Sequence, residues 1–256
     1  MSLNPPLTDW RERSVWIVGA SSGIGAALAA ALHERGARVT VSARRLDALQ
    51  ALERQHPGLR PIALDVTDAA ALEATVERLF SSNPPDLVCY CAGHYEPGGA
   101  RELSLRGWEQ HRAVNLDAAV ALSLAVLRPM RARGHGHLSL VSSVAGHRGL
   151  PNALAYGTTK AALTHFSEAL HLELAPLGVG ISVVTPGFVE TPMTAVNDFR
   201  MPAVITPAQA AQAILAGWAR GRFMIDFPRR FTFWLDLLRC LPYAWYFPLV
   251  RRLTRR

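Results

Sequence analysis

The sequence predicts an α/β fold, a doubly wound parallel sheet of about six or seven strands built as a single domain. Three observations carry this. Short β-rich apolar runs alternate with helical stretches of roughly ten to fifteen residues, the pattern of crossover units. The first run leads at once into a turn with spaced glycines, and no internal repeat, low-complexity stretch or linker interrupts the chain before about residue 220. Half of the 256 residues are hydrophobic, enough to cover such a sheet on both faces.

The elements follow in order. Ser14 to Val18 (SVWIV) reads as a strand, Val18 to Gly25 (VGASSGIG) as a tight turn, and AALAAALHERG, ending at Gly36, as a helix with a glycine stop. ARVTVS (37–42) is the second strand and LDALQALER (46–54) the second helix. PIALD (61–65), AALEATVERLF (70–80) and DLVCYC (86–91) continue the alternation. Two more buried strands are expected at HLSLVSS (137–143) and GISVVTP (180–186), separated by a helix that begins near Tyr156. RFMIDF (222–227) supplies the last strand.

Charge is unevenly spread. Nine arginines and two aspartates lie between residues 220 and 256, so that segment holds the whole net charge of +7 and the first 219 residues are electroneutral. Three cysteines (Cys89, Cys91, Cys240) cannot build a disulfide framework, and the start, MSLNPPLTDWRER, has no signal-type apolar core. A reducing, cytoplasmic location is expected.

Glycines at 19, 23 and 25, between first strand and first helix, suit close approach of a pyrophosphate to backbone amides. A merely tight turn is the alternative. After the second strand stand Ser42, Ala43, Arg44 and Arg45, with no carboxylate to take a ribose 2′-hydroxyl. Two guanidiniums there favour a 2′-phosphate, hence NADP(H), with Arg44 the first candidate and Arg45 a solvated helix-start residue. Asp65 either meets the adenine edge or caps the next helix with Thr67 and Asp68.

Tyr156 and Lys160 are four apart in a helical stretch and share a face. An ammonium beside a phenol is expected to lower its pKa from near 10, toward the range where a proton donor and acceptor works. Thirteen residues earlier stands Ser143, and Asn115 lies in AVNLDA. Strand alternation turns neighbouring Ser142 the other way. Asp117, His147 and His94 are further groups that could face a substrate, and Cys89 and Cys91 read as buried hydrophobes on one strand face. The histidines, HGH at 135–137 included, form no metal-ligand pattern, so no metal is expected.

Taken together, Gly19, Gly23, Gly25, Asp65, Asn115, Ser143, the Tyr156 to Lys160 pair, and Pro186-Gly187 with Thr191 resemble the short-chain dehydrogenase/reductase family in its single-domain form, over roughly residues 13 to 219. The resemblance implies a Rossmann-type fold and hydride transfer between a nicotinamide and a carbonyl or alcohol carbon. It implies that Tyr156 protonates the carbonyl oxygen, Ser143 holds that oxygen, Lys160 binds the nicotinamide ribose, and Asn115 supports a water-borne proton path. The implied cofactor set is Gly19, Ser21, Ser22, Gly23, Ile24, Gly25, Arg44, Asp65, Val66, Ala92, Gly93, Asn115, Tyr156, Lys160, Pro186, Gly187, Val189 and Thr191. Thr191 and the backbone near Val189 would hold the carboxamide. Two positions depart from the family: Val18 replaces its usual threonine, and Tyr90-Cys91-Ala92-Gly93 its usual Asn-Asn-Ala-Gly. Apolar packing is expected to replace the missing polar tie between strands.

The chain thus divides into an NADP-binding catalytic domain, 1–228, and a basic aromatic extension, 229–256. The longest uncharged run of the extension, Cys240 to Val250, has eleven residues and two prolines, too short to span a bilayer. Its Trp, Tyr and Phe with flanking arginines suit a segment lying in lipid headgroups on the cytoplasmic membrane face. Packing across a subunit interface or over the substrate pocket are the alternatives. No nucleic-acid module stands behind it. The expected activity is NADPH-dependent reduction of an apolar or lipid-like ketone or aldehyde by a homo-oligomer. The rivals are an NAD-linked alcohol or hydroxysteroid dehydrogenase and a non-catalytic NADP-binding membrane adaptor.

Overall fold

The computed structural model describes residues 2–199 and 201–254. Seven parallel strands form one sheet in the order β3-β2-β1-β4-β5-β6-β7: β1 (Ser14–Val18), β2 (Arg38–Ala43), β3 (Arg60–Ala63), β4 (Leu87–Tyr90), β5 (Gly136–Val141), β6 (Val179–Pro186) and β7 (Met224–Phe227). Chain order reverses between β1 and β4, whose registered pairs run from Val15 with Leu87 to Val18 with Tyr90. A crevice opens beyond the carboxyl ends of strands at such a reversal, and this geometry places the site.

Strand alternation builds the two halves of the core. Val15 and Ile17 of β1 face a layer that holds α1 (Gly23–His33), α2 (Leu46–Gln55) and α7 (Pro207–Ala219), packed through Leu28, Leu32, Leu49, Ile214 and Trp218. Trp16 and Val18 face the opposite layer, made by α3 (Ala69–Ser82), α5 (Ala118–Arg133) and α6 (Leu154–Leu174), through Leu72, Val76, Leu122, Val126 and Leu163. Every residue of β1, β4 and β6 is buried, as a sheet covered on both faces requires.

A helix α4 (Leu105–Arg112) runs through a π-helical turn (Ala113–Asp117) directly into α5. By length and composition this continuous stretch, 105–133, could cross a membrane. Here its apolar residues Ala118, Ala119, Leu122, Val126 and Met130 are core instead. His137 of the HGH motif is also a core residue: its Nε2 lies 2.8 Å from Ser182 Oγ, and Ser182 and Ser139 accept from Trp218 Nε1 at 3.1 and 3.2 Å. Burial pushes its pKa down to about 3, so the ring stays neutral.

The extension forms two helices, α8 (Arg229–Arg239) and α9 (Tyr243–Thr254). Both close onto the loop that follows β5. Arg148 Nη1 donates to the carbonyls of Leu238, Arg239 and Leu241 at 2.9, 3.0 and 2.7 Å, satisfying the carboxyl end of α8. Its guanidinium lies 4.7 and 3.9 Å from the ring centroids of Tyr243 and Tyr246, and the Tyr246 hydroxyl donates to Gly149 O at 2.7 Å.

Candidate active site

A cavity of about 890 Å³ occupies the crevice, at the upper end of the ~300–1,000 Å³ usual for small-molecule sites. Gly19 and Gly23 hold φ of +92° and +58°, a region that favours glycine. Added side chains would also collide. At Gly19 one would meet the Ala92 backbone, at Gly25 the Gly19 carbonyl, and at Gly23 the Thr191 methyl at 2.9 Å. Helix α1 starts at Gly23 without a side-chain cap from Ser22, so the amides of its first turn are left for an anion. Such a cradle could hold a pyrophosphate.

At one end of the cavity Arg44 and Arg45 both line the wall and both are exposed. Ser42 is withdrawn, buried and accepting from Trp16 Nε1 at 2.8 Å. The two readings of Asp65 now separate. Asp68 caps α3 by accepting from Ala71 N at 3.0 Å, whereas Asp65 accepts from Thr67 N and Oγ1 at 3.0 and 2.8 Å and still lines the cavity. The Thr67 amide holds its carboxyl below the usual range, with Arg44 acting in the same direction.

At the other end stand Ser143, Tyr156 and Lys160. Ser143 caps the 3-10 turn Val144–Gly146, accepting from Ala145 N at 3.1 Å. Tyr156 and Lys160 are the third and seventh residues of α6, on one face. Lys160 Nζ is 5.7 Å from the Tyr156 ring centroid and donates to Val141 O at 2.8 Å. The expected depression of the phenol does not occur in this arrangement. Burial pushes Tyr156 up to about 12, opposed by its hydrogen bond with Ser143, and burial pushes Lys160 down to about 8. Desolvation dominates, and the Lys160 ammonium is engaged by the Val141 carbonyl, with no hydrogen bond to the phenol.

Asn115 is fully buried and is the one residue of the expected set that does not line the cavity. Its Oδ1 accepts from His94 N at 2.7 Å and its Nδ2 donates to His94 O at 2.9 Å and Thr159 Oγ1 at 3.2 Å. It therefore ties the segment after β4 to α6 from behind the site. The π-helical turn presents it there. The remaining residues, Ser21, Ile24, Val66, Ala92, Gly93, Pro186, Gly187, Val189 and Thr191, all line the cavity.

Of the further groups, His94 lines the cavity, and burial lowers its pKa. Asp117 is turned away, paired with Arg112 at 3.1 Å, and His147 is covered by α8, with Nδ1 3.5 Å from Asp236. Ser142 is structural: its hydroxyl donates to Lys160 O at 2.8 Å and lies 2.8 Å from Thr164 Oγ1. The replaced polar tie is not purely apolar. Cys89 and Cys91 put their sulfurs 3.5 Å apart, but the Tyr90 hydroxyl donates to Val114 O at 2.6 Å and so fastens β4 to the π-helical turn.

Several site residues carry no sequence signal. Tyr95 packs edge-on against Tyr156, ring centroids 4.9 Å apart, and donates to Asn197 Oδ1 at 2.8 Å, bridging the two loops across that ring. Thr194 lines the cavity and hydrogen-bonds Val189 O at 2.6 Å. Gly146 and Gly157 let the Ser143 turn lie on α6, since a Cβ would come 2.7 Å from the Lys160 carbonyl carbon or 2.9 Å from Ala145 O.

The chain's relatives share this architecture. A family model described as short chain dehydrogenase matches residues 13–200. An "uncharacterized oxidoreductase" of Myxococcus xanthus is 38% identical over 96% of this chain and 100% of its own length, so the alignment reaches into the extension. The 3-oxoacyl-acyl-carrier-protein reductase of Escherichia coli is 32% identical over 77% of this chain and 82% of its own. A solved short-chain dehydrogenase from Sphingobium yanoikuyae in complex with NADPH is 27% identical, with a TM-score of 0.78 over 91% of this chain and 97% of that one. With a glycine cradle, a serine, a tyrosine and a lysine converging on one crevice, and a family model covering most of the chain, this protein belongs to the short-chain dehydrogenase/reductase family, oxidoreductases that bind a nicotinamide cofactor.

Proposed function

We propose that the protein is an NADPH-dependent reductase of apolar ketones or aldehydes, with residues 1–228 supplying its catalytic machinery. The observation that carries the reading is the single cavity that joins the glycine cradle and Arg44 at one end to Ser143, Tyr156 and Lys160 at the other. When bound, the reduced cofactor supplies a hydride to the carbonyl carbon. Tyr156, held protonated by burial, donates its proton to the carbonyl oxygen, and Ser143 donates a hydrogen bond that fixes this oxygen beside the phenol. Lys160, on the cavity wall, binds the nicotinamide ribose. Asn115 positions the His94 segment and Thr159 and leads the returning proton in from behind the site.

Two guanidiniums and no carboxylate at the end of β2 support NADPH over NADH, and reduction follows because cells hold that cofactor reduced. The Sphingobium relative was solved with NADPH. Tyr95 against the phenol, Met193 and Val114 on the cavity wall, and Phe188 and Phe199 in contact on the neighbouring loop support an apolar substrate.

The test follows NADPH absorbance against ketones and aldehydes of increasing chain length. Turnover should rise with chain length and fall by about a thousandfold in Tyr156→Phe. Arg44→Ala should weaken NADPH binding by about tenfold or more while leaving NADH binding unchanged. Equal affinities for the two cofactors in both proteins would sink the NADPH assignment. If Tyr156→Phe kept all cellular function while deletion of 229–256 abolished it, the protein would be an adaptor and no reductase.

A further inference from the structure

Among the described residues six aromatic side chains are strongly exposed, and five of them, Phe233, Trp234, Tyr243, Trp245 and Phe247, lie on α8 and α9. On α8, Arg230, Phe233, Trp234 and Leu237 recur at helical spacing on the outward face, while Thr232 is buried and Phe231, Leu235 and Leu238 are partly covered. On α9 only Tyr246 and Val250 are buried, which leaves Trp245, at 70% exposure, with Leu249 and Leu253 outside. A water-facing helix of this composition is unusual, because exposed apolar patches mark interaction surfaces. These helices are nonetheless firmly seated through Arg148 and Tyr246, so the patch is a built surface.

We propose that α8 and α9 form a platform that seats the protein on an anionic lipid surface and opens its substrate cleft toward that surface. Charge selects lipid over a second copy of the chain. Arg229, Arg230, Arg239, Arg251 and Arg252 are all exposed, and none pairs with a carboxylate among the described residues. The one carboxylate of the two helices, Asp236, is turned toward His147. A symmetry-related copy would bring arginine against arginine, whereas anionic headgroups neutralise them and the indoles and phenyl rings enter the interfacial layer.

The platform is continuous with the cleft. Phe231 of α8 packs on Gly187, where a Cβ would lie 3.0 Å from its ring, and Gly187 lines the cavity. From there Phe231, Phe188 and Phe199 touch in series, with ring centroids 5.9 and 5.6 Å apart, and Phe199 is exposed. An apolar substrate partitioned into the lipid would reach Tyr156 along this aromatic edge. This delivery role rests on the reductase reading; the docking surface does not.

The experiment is co-sedimentation of the full chain with vesicles of phosphatidylcholine alone and with about one third phosphatidylglycerol added. Binding is expected to the anionic vesicles, weakening with salt, and reduced about tenfold or more in the Trp234→Ser/Trp245→Ser double variant. Absence of binding to anionic vesicles would overturn the proposal, as would binding unchanged in the double variant. So would a wild-type dimer that the double variant converts to monomer, which would make the face a contact between copies. NADPH oxidation with a short water-soluble ketone, without vesicles, should be the same in both proteins. Loss of vesicle binding with that activity intact separates failure of the platform from failure of the reductase reading, which would leave no ketone turned over and the vesicle result standing.

Discussion

Lys160 is the only lysine in a chain with 26 arginines, and its surroundings explain the exception. The ammonium lies almost wholly buried, hydrogen-bonded to Val141 O, and a Cβ at Gly93 would come within 3.9 Å of its Nζ. A compact cation with rotatable donors fits there, where a planar guanidinium fork would need more room. Burial pushes its pKa down to about 8, against about 10.4 in an unfolded chain, so between those values the unfolded state binds more protons and stability rises with pH. Below about pH 8 both states are charged and the full penalty applies. Lys160→Met should therefore be more stable than wild type at pH 7 by about 1–3 kcal/mol, an advantage that shrinks as pH approaches 10. Urea unfolding at pH 7 and at high pH measures this; a difference independent of pH would refute it. The same variant should lose turnover, a stability cost kept for function.

The elements that matter most are the short ones. The 3-10 turn Val144–Gly146 sets Ser143 against Tyr156 only because Gly146 and Gly157 carry no Cβ. Gly146→Ala should push the turn off α6 and lower kcat by about tenfold to a hundredfold, with NADPH affinity little changed. Steady-state kinetics with a fluorescence titration of the cofactor would check it, and an unchanged kcat would show that the turn adjusts. The strands and the helices α1, α2, α3 and α6 were legible in the sequence, since apolar runs and helical stretches mark them directly, whereas α4, α5 and α7 were not. The π-helical turn at Asn115 was not, because one extra residue per turn leaves no periodic trace in five residues. Nor was the Tyr95 to Asn197 bridge, which joins residues 102 apart in sequence.

Across the whole molecule, the extension is fastened to the loop after β5 through Arg148 and Tyr246. Arg148 closes the carboxyl end of α8 and lies over two rings of α9, five residues beyond Ser143 in the same loop. Arg148→Ala should free α9 first, raising amide hydrogen exchange in residues 243–254 by about tenfold or more while β1 stays protected. Uniform acceleration through both regions would mean that the extension belongs to the global folding unit. The loop thus links Ser143 physically to the exposed aromatic helices.

By itself the sequence determined the class of fold, the family and the glycine, serine, tyrosine and lysine positions, because each depends on local pattern: strand periodicity, a turn that tolerates only glycine, and two residues one helical turn apart. The tertiary structure alone decided that Asp68 and not Asp65 caps α3, that Asn115 lies behind the cavity, and that burial raises the pKa of Tyr156 against its hydrogen bond with Ser143. It also decided that the basic extension is two docked helices with five of their seven aromatic side chains outward. Those outcomes depend on desolvation and on contacts between segments distant in the chain, quantities that composition and spacing do not contain.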